Sequence, residues 1–249
     1  MVPARQASSG PHLSLVIPAY NEESRLLPSL ERIDEYLSTR PYCSELVVVD
    51  DGSTDRTPEL LRGFTPTAPD RVQVRLLSHD RNRGKGAAVR TGCLAAQGEC
   101  AVFTDIDLAV PVEEVDRVLE RLEAGAEVVV GTRLHPGGQD MRSSQPLLRR
   151  LAGRLFVLVR RVVALPEHHD TQCPLKGFRR PAAQRLFAAQ RLSGWAFDVE
   201  ILYLADRWGL RVEELPVRWD HVEGSRLGLR PAVAVQVLWD LLRLRLLHR

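Results

Sequence analysis

The feature that most restricts the fold of this chain is a regular alternation of short apolar runs with segments of helical periodicity. Runs rich in valine, leucine and isoleucine and bounded by turn residues are typical of buried strands. Strands are predicted at Leu13–Ile17, Glu45–Val49, Val72–Ser78, Cys100–Phe103 and Glu127–Val130. Helices are predicted between them at Asn21–Ser38, from Thr57 onward, at Ala87–Gln97 and at Val112–Ala124. This alternation predicts an α/β fold with a mostly parallel sheet and helices on both faces.

Polar turns follow these strands at the end that binds ligands in parallel sheets. Acidic or glycine-rich turns come after Ile17, Val49, Ser78, Phe103 and Val130. In open parallel sheets, ligands bind outside the carboxyl ends of the strands. We therefore expect these turns to converge on one binding site.

The turn after Phe103 carries two acids, Asp105 and Asp107, separated by one apolar residue. An extended backbone points residues at this spacing to the same side. Two carboxylates with open coordination positions suit Mg²⁺ or Mn²⁺ shared with substrate phosphates. A polar strand end in which one acid caps the next turn is the structural alternative. The motif predicts a metal site but does not decide the question alone.

Composition and the absence of common motifs argue against several classes of function. A net charge of +2 is too balanced to favour nucleic-acid binding. No G-x-G-x-x-G follows the first strand and Gly84-Lys85-Gly86 lacks Walker A spacing, which disfavours dinucleotide oxidoreductases and P-loop proteins. The four cysteines form no framework spacing, so we expect reduced thiols in the cytoplasm. Met1–Gly10 lacks an apolar core, so we expect no signal peptide.

The remaining polar turns suit a nucleotide diphosphate. Asp51 can accept the N–H of a uracil-like base, and Tyr20 can border that base. Lys85 and a divalent metal would offset the charge of the diphosphate. Lys85 and Lys176 are the only lysines among 34 basic residues. Each is either an accident of an arginine-rich composition or a position that requires a compact ammonium.

The second half of the chain has a less regular pattern. A loop or strand is predicted at Asp170–Arg180, and a strand at Leu210–Trp219. Helices are predicted at Gln145–Leu165, Pro181–Gln190 and Phe197–Trp208, and a basic, leucine-rich helix at residues 231–249. Alternating leucine and arginine in this last helix suit an element that lies on an anionic membrane surface, and an ordinary core helix with a basic side is the alternative.

The motifs of the polar turns resemble the family 2 glycosyltransferases, which are nucleotide-sugar enzymes of the GT-A fold. The resemblance rests on Val16–Glu22, Val48–Asp55, Asn82–Gly86 and Asp105–Asp107. Later motifs are similar to the dolichyl-phosphate β-glucosyltransferase branch, namely Asp170–Cys173 with Lys176, Trp195–Glu200 and Val222–Ser225. The resemblance covers residues 12–247 in the family's order, and it implies a GT-A fold for the chain.

The resemblance also implies functional residues. The nucleotide sugar would contact Pro18, Tyr20, Glu22, Asp51, Lys85, Gly86 and Asp105, and a divalent metal, Mg²⁺ or Mn²⁺, would bind Asp105 and Asp107. The acceptor phosphate would contact Arg133, Arg149, Arg150, Gln172 and Lys176. Related mannosyl-transferring enzymes have a metal-binding glutamine two residues beyond the second aspartate, where this chain has Ala109. The resemblance therefore implies no third protein ligand at this position, and water can fill its place.

The domain organisation that follows has three parts. We expect a loose tail at residues 1–11 and a single catalytic domain at 12–230. Within that domain, residues 12–133 form the donor half and 134–230 the acceptor half. Residues 231–249 would form an amphipathic helix on the cytoplasmic face of a membrane.

The implied reaction is inverting transfer of glucose from UDP-glucose to a polyprenyl (dolichyl-type) phosphate. The residues expected to act in it are Asp105, Asp107, Arg133, Arg149, Lys176 and Asp198. Because a phosphomonoester with a second pKa near ~6 is largely dianionic at pH 7, a general base is unnecessary. Asp198 is thus open to two interpretations, a base or a helix first-turn acid. The alternatives are a GDP-mannose donor, a hydroxyl acceptor, and a non-catalytic nucleotide-sugar-binding protein.

Overall fold

The computed structural model describes residues 10–134, 168–220 and 231–248, and of residues 231–234 only the backbone. The described strands are β1 (Leu13–Ala19), β2 (Ser44–Asp50), β3 (Val72–Ser78), β4 (Cys100–Phe103), β5 (Val128–Thr132), β6 (Lys176–Arg179) and β7 (Val212–Pro216). The described helices are α1 (Leu26–Ser38), α2 (Thr57–Gly63), α3 (Lys85–Ala95), α4 (Glu114–Glu123), α5 (Arg180–Ala189), α6 (Phe197–Arg207) and α7 (Pro231–Leu247).

The strands form one sheet in the order β3-β2-β1-β4-β6-β5-β7. Strand β6 is antiparallel to both of its neighbours, and the other pairs are parallel. The carboxyl ends of β1 to β5 therefore lie at the same edge. The predicted mostly parallel sheet is confirmed, and the segment predicted as a loop or strand contains β6.

The core lies on both faces of the sheet. Leu15 and Ile17 of β1 pack on one face with residues of α1 and α4, whereas Val16 packs on the other with residues of α3, α5 and α6. All three side chains are fully buried. A strand that is covered on both faces needs apolar residues at successive positions. This requirement explains why the strands read as continuous apolar runs.

Four of the described helices begin elsewhere than predicted. Two of them are α4, which begins at Glu114 and not at Val112, and α5, which begins at Arg180 and not at Pro181. Helix α1 begins at Leu26, not at Asn21, because Asn21 has a φ of 53° and belongs to a loop. Helix α3 begins at Lys85, earlier than the predicted Ala87. It packs closely on β1 because Gly92 lacks a side chain: a Cβ at that position would lie 2.3 Å from Val16 Cγ1. This close packing fixes the position of Lys85 at the carboxyl edge of the sheet.

Some predictions concern residues that the structure does not describe. The helix predicted at Gln145–Leu165, including Arg149 and Arg150, and the motif Val222–Ser225 lie outside the described residues. Helix α7 lies within the segment predicted to be the C-terminal helix. Among the described helices, none is long and apolar enough to cross a membrane. The division into tail, catalytic domain and terminal helix stays a prediction.

Candidate active site

The loops after β1 and β2 are hydrogen-bonded to each other at the carboxyl edge of the sheet. The Asn21 N–H donates to Ser53 Oγ at 2.8 Å, and the Thr54 N–H donates to Asn21 Oδ1 at 2.7 Å. The Glu22 N–H donates to Thr57 Oγ1 at 2.7 Å. These contacts join two of the predicted nucleotide-sugar motifs into one rim of the site.

Asp51, the first residue after β2, connects this rim to the glycine-rich loop. Its buried carboxylate accepts the backbone N–H groups of Arg83 at 2.9 Å and Gly84 at 2.8 Å. His79 Nδ1 lies 2.6 Å from Asp51 Oδ1, and His79 Nε2 lies 2.9 Å from Thr91 Oγ1. A predicted base-binding residue is thus held against the loop that carries Lys85.

Lys85 occupies the first turn of α3 and faces the acids after β4. Its Nζ lies 2.7 Å from Asp105 Oδ1 and 5.5 Å from the centre of a Trp195 ring. Gly84 allows the approach, since it has a φ of 100° and a Cβ there would lie 2.5 Å from Ser193 O. Burial alone would lower the pKa of Lys85, but the charges of Asp105 and Asp198 outweigh it and raise this pKa. The ammonium therefore stays charged at the edge of the sheet.

Asp105 and Asp107 present two partly exposed carboxylates after β4. Asp107 Oδ1 accepts the Ala109 N–H at 3.1 Å. Burial and the charge of Asp105 raise the pKa of Asp107. A cation between the two carboxylates would relieve this repulsion, so the donor set fits a divalent metal.

Ala109 cannot complete that donor set. Its side chain is buried in the core, and its carbonyl accepts the Asp220 N–H at 2.8 Å. Among the described residues, no group of three or more His, Cys, Asp or Glu side chains is arranged to hold a metal ion. A metal on Asp105 and Asp107 would take its other ligands from water and phosphate, as Mg²⁺ commonly does.

Lys176 and Asp198 form a second lysine–aspartate pair that is closed to solvent. Lys176 Nζ lies 2.6 Å from Asp198 Oδ1 and 2.7 Å from the carbonyl oxygen of Cys173. Burial raises the pKa of Asp198, and the charges of Lys176 and Lys85 oppose that rise. The predicted role of Lys176 toward an acceptor phosphate stays a prediction, and the ammonium would have to turn from Asp198 to perform it.

Arg133, which follows β5, is held by an acid from a distant part of the chain. Its Nε and Nη2 each lie 2.7 Å from a different oxygen of Asp170, which is buried. Asp170 also accepts the backbone N–H of Gln172 at 3.3 Å, and Gln172 Nε2 donates to the Trp195 carbonyl at 3.4 Å. The bidentate contact fixes the guanidinium plane of Arg133.

The other residues predicted to contact the donor lie near the end of β1, in the loop after it and at the start of α3. Pro18 is partly buried near the end of β1, and Tyr20 is 38% exposed. Glu22 pairs with Arg25 Nε at 2.6 Å. Gly86 packs closely against Phe197, where a Cβ at Gly86 would lie 2.7 Å from the Cβ of Phe197. The contacts of these residues to a donor stay predictions.

One residue of the site, His79, was not predicted from the sequence. His79 contacts Asp51, yet a single histidine in a polar turn belongs to no motif that carries chemistry. The only available signal was its position directly after β3, at the edge where the other polar turns converge.

Comparison with known proteins assigns the family. The model of Glycosyl transferase family 2 matches residues 14–187. The chain belongs to this family. It is 32% identical over 248 residues to a dolichyl-phosphate beta-glucosyltransferase of Trichomonas vaginalis, covering 96% of this chain and 72% of that protein. It is 33% identical over 226 residues to the dolichyl-phosphate beta-glucosyltransferase of Homo sapiens, covering 86% and 69%.

Two solved structures share the fold of this chain. The glucosyl-3-phosphoglycerate synthase of Mycobacterium tuberculosis in complex with uridine diphosphate matches with a TM-score of 0.67 and 21% identity, over 95% of this chain and 80% of that one. A mannosyltransferase from Pyrobaculum calidifontis in complex with GDP-Man and Mn²⁺ matches with a TM-score of 0.59 and 23% identity, over 96% and 71%. The predicted GT-A fold is confirmed.

Proposed function

We propose that this glycosyltransferase transfers glucose from UDP-glucose to a polyprenyl (dolichyl-type) phosphate, with inversion at the anomeric carbon. The observation that carries the proposal is the cluster of Lys85, Asp105 and Asp107 at the carboxyl edge of the sheet. This cluster suits a sugar diphosphate, and the chain is similar to proteins named dolichyl-phosphate beta-glucosyltransferase.

The donor half would bind and activate the leaving group. Asp51 would accept the N–H of the uracil ring, and the Lys85 ammonium would neutralise the diphosphate, where negative charge develops in the transition state. Asp105 and Asp107 would hold Mg²⁺ or Mn²⁺, which supplies further neutralisation of the same diphosphate when bound. Lys85 can serve the diphosphate because its present partner, Asp105, would be shared with the metal.

The acceptor phosphate would be the nucleophile. One of its oxygens bonds to the anomeric carbon while the bond from that carbon to the UDP oxygen breaks, and the electron pair leaves with UDP. Arg133, fixed by Asp170, would position this anion. The phosphate is already ionised, so no side chain has to remove a proton.

The state of Asp198 supports a phosphate acceptor over a hydroxyl acceptor. A hydroxyl needs a base within hydrogen-bond reach of its proton. Asp198 is the acid that we considered for this role, but its carboxylate is paired with the buried Lys176 ammonium at 2.6 Å. Transfer to a hydroxyl would therefore require this pair to open.

A donor and acceptor panel tests the proposal. Purified protein with Mg²⁺ or Mn²⁺ is incubated with UDP-glucose or GDP-mannose, and with a polyprenyl phosphate or the matching polyprenol. We expect lipid-linked glucose and free UDP only with UDP-glucose and the polyprenyl phosphate together. The Asp105→Asn variant should give no product. Product from GDP-mannose, or from the polyprenol, would replace the proposed donor or acceptor. If UDP-glucose is neither bound nor consumed, the proposal fails.

We also propose that α7 holds the enzyme on the cytoplasmic face of the membrane that contains its acceptor. The outer face of α7 carries exposed large apolar side chains at Val235, Leu238, Trp239, Leu242 and Leu246. Residues at this spacing share one stripe of a helix. Arg243 and Arg245 fall on the two sides of that stripe at helical spacing, which suits an anionic lipid surface.

Vesicle sedimentation tests the membrane contact of α7. Wild-type protein should sediment with vesicles that contain phosphatidylglycerol, and Trp239→Gln with Leu242→Gln should weaken binding by roughly tenfold or more, since two apolar side chains are lost from the lipid contact. Leu76→Gln is the matched control, because Leu76 is 39% exposed on β3, far from α7 in sequence. Equal binding of all three proteins would refute the role of the stripe.

A further inference from the structure

The carboxylate of Asp51 has an uneven set of hydrogen bonds in the described part of the chain. Its Oδ1 receives two groups, His79 Nδ1 at 2.6 Å and the Arg83 N–H at 2.9 Å. Its Oδ2 receives one described group, the Gly84 N–H at 2.8 Å. A carboxylate has about four lone-pair sites, two on each oxygen. Oδ1 is therefore filled, and Oδ2 retains capacity for one more donor.

His79 has the geometry of a donor to Asp51. An ionised carboxylate only accepts hydrogen bonds, so Nδ1 carries the proton that lies between the two groups. His79 Nε2 can then accept the hydroxyl proton of Thr91 in α3 at 2.9 Å. The imidazole is 6% exposed, and its backbone N–H donates to the Asp50 carbonyl at 2.9 Å. His79 is thus fixed through its backbone and through both ring nitrogens.

We propose that His79 is a positioning residue for nucleotide recognition: it occupies one oxygen of Asp51 and thereby directs the other, Oδ2, to the ring N–H of the donor's uracil. This inference rests on the proposed function, because it assumes a uridine nucleotide. It assigns the selectivity for that base to a fixed pair of side chains, not to Asp51 alone.

The same contacts connect base recognition with the diphosphate site. Asp51 accepts the Gly84 N–H, and Gly84 directly precedes Lys85 at the start of α3. Thr91 lies on that helix as well. A shift of the Asp51 carboxylate would change the uracil contact directly. It would reach Lys85 only through the Gly84 backbone, because Lys85 Nζ is also held by Asp105.

Binding of two nucleotides distinguishes a positioning role of His79 from a general role in stability. UDP and UDP methylated at uracil N3 differ in the one donor that Asp51 Oδ2 would accept. We expect wild-type protein to prefer UDP, and His79→Leu to lower that preference by roughly tenfold, the usual size of a lost hydrogen bond to a charged group. His79→Asn should keep most of the preference, because its amide can place an N–H where Nδ1 now lies. In turnover, His79→Leu should raise KM for UDP-glucose and leave kcat unchanged.

His12→Leu is the matched control. His12 also contacts carboxylates, Glu99 at 3.2 Å and Glu123 at 3.1 Å, but it precedes β1 at the opposite edge of the sheet. An unchanged preference in His79→Leu overturns the inference. An equal loss of affinity for both nucleotides, together with a lower Tm, also overturns it. If wild-type protein binds neither nucleotide, the proposed donor is wrong and the inference falls with it. A preference lost in His79→Leu, and kept in His79→Asn and His12→Leu, supports it.

Discussion

The two lysine–aspartate pairs of this enzyme have nearly the same geometry and different surroundings. Lys85 lies 2.7 Å from Asp105, with side chains that are 15% and 29% exposed. Lys176 lies 2.6 Å from Asp198, with side chains that are 1% and 7% exposed. Charges that water reaches can exchange partners at small cost, whereas buried charges depend on each other. The open pair, Lys85 and Asp105, is therefore suited to receive a substrate. The closed pair, Lys176 and Asp198, is suited to maintain the shape of the site.

The closed pair also acts on the open one through charge. Asp198 is among the groups that raise the pKa of Lys85, second to Asp105 in size. Lys176 additionally packs 5.3 Å from the centre of the Phe103 ring, directly before the turn that carries Asp105. Substitutions in the two pairs should consequently have different signatures, one in stability and the other in catalysis.

Lys176→Met should produce the largest effect, and that effect should be on stability. It leaves the buried Asp198 carboxylate without its cation, a change that costs about 3–5 kcal/mol. The free energy of unfolding measured with urea should fall by that amount. The double variant Lys176→Met with Asp198→Leu should recover much of the loss, because no uncompensated charge remains. A loss below about 1 kcal/mol in the single variant would show that the pair is not coupled as its burial implies.

Lys85→Ala should produce the next largest effect, and it should appear in turnover. Removing one group that stabilises developing charge lowers kcat by about 10²–10³-fold. The free energy of unfolding should change by about 1 kcal/mol or less, because the pair is partly open to water. Lys85→Arg keeps the charge and should restore part of the activity, since a guanidinium differs in shape from an ammonium. A large loss of stability with normal kcat would reverse the assignment of the two pairs.

The open pair was predictable from the sequence because its members belong to contiguous motifs. Lys85 lies in a glycine-rich loop and Asp105 directly follows an apolar run, so their meeting follows from the alternation of strands and helices. The parallel direction of the first four strands was predictable for the same reason. Each such inference needed only local sequence and the geometry of a parallel sheet.

The burial of the closed pair could not be predicted in this way. Lys176 becomes buried because β6 enters the sheet antiparallel, between β4 and β5. The strand is short, and its neighbours come from much earlier in the chain. Nothing in the local sequence indicates that this lysine is buried. His79 was missed for a different reason, since a single histidine in a polar turn belongs to no motif that carries chemistry.

Asp198→Asn should have a smaller effect on turnover with a polyprenyl phosphate. Because this acceptor is already ionised, loss of the carboxylate removes no required base. We therefore expect kcat to fall by less than roughly tenfold, whereas loss of a general base lowers the rate by at least about 10²-fold. The amide oxygen can still accept from Lys176, but the buried ammonium loses its counterion, so the free energy of unfolding should fall as well. A loss of 10²-fold or more, with the folded state intact by circular dichroism, would favour a hydroxyl acceptor and a catalytic base.

The smallest effect that we expect is a change in the titration of Asp107 beside the open pair. Burial, followed by the negative charge of Asp105, raises the pKa of Asp107, so in the metal-free protein this carboxyl takes up its proton at a higher pH than an ordinary aspartate. Asp105→Asn removes that charge and should move the midpoint to lower pH, as measured by the ¹³C shift of the Asp107 carboxyl. Asp80→Asn, a change of an exposed acid that pairs with Arg83, should leave the midpoint in place. If Asp105→Asn also leaves it in place, the two carboxylates do not repel each other, and the physical argument for a shared cation is lost.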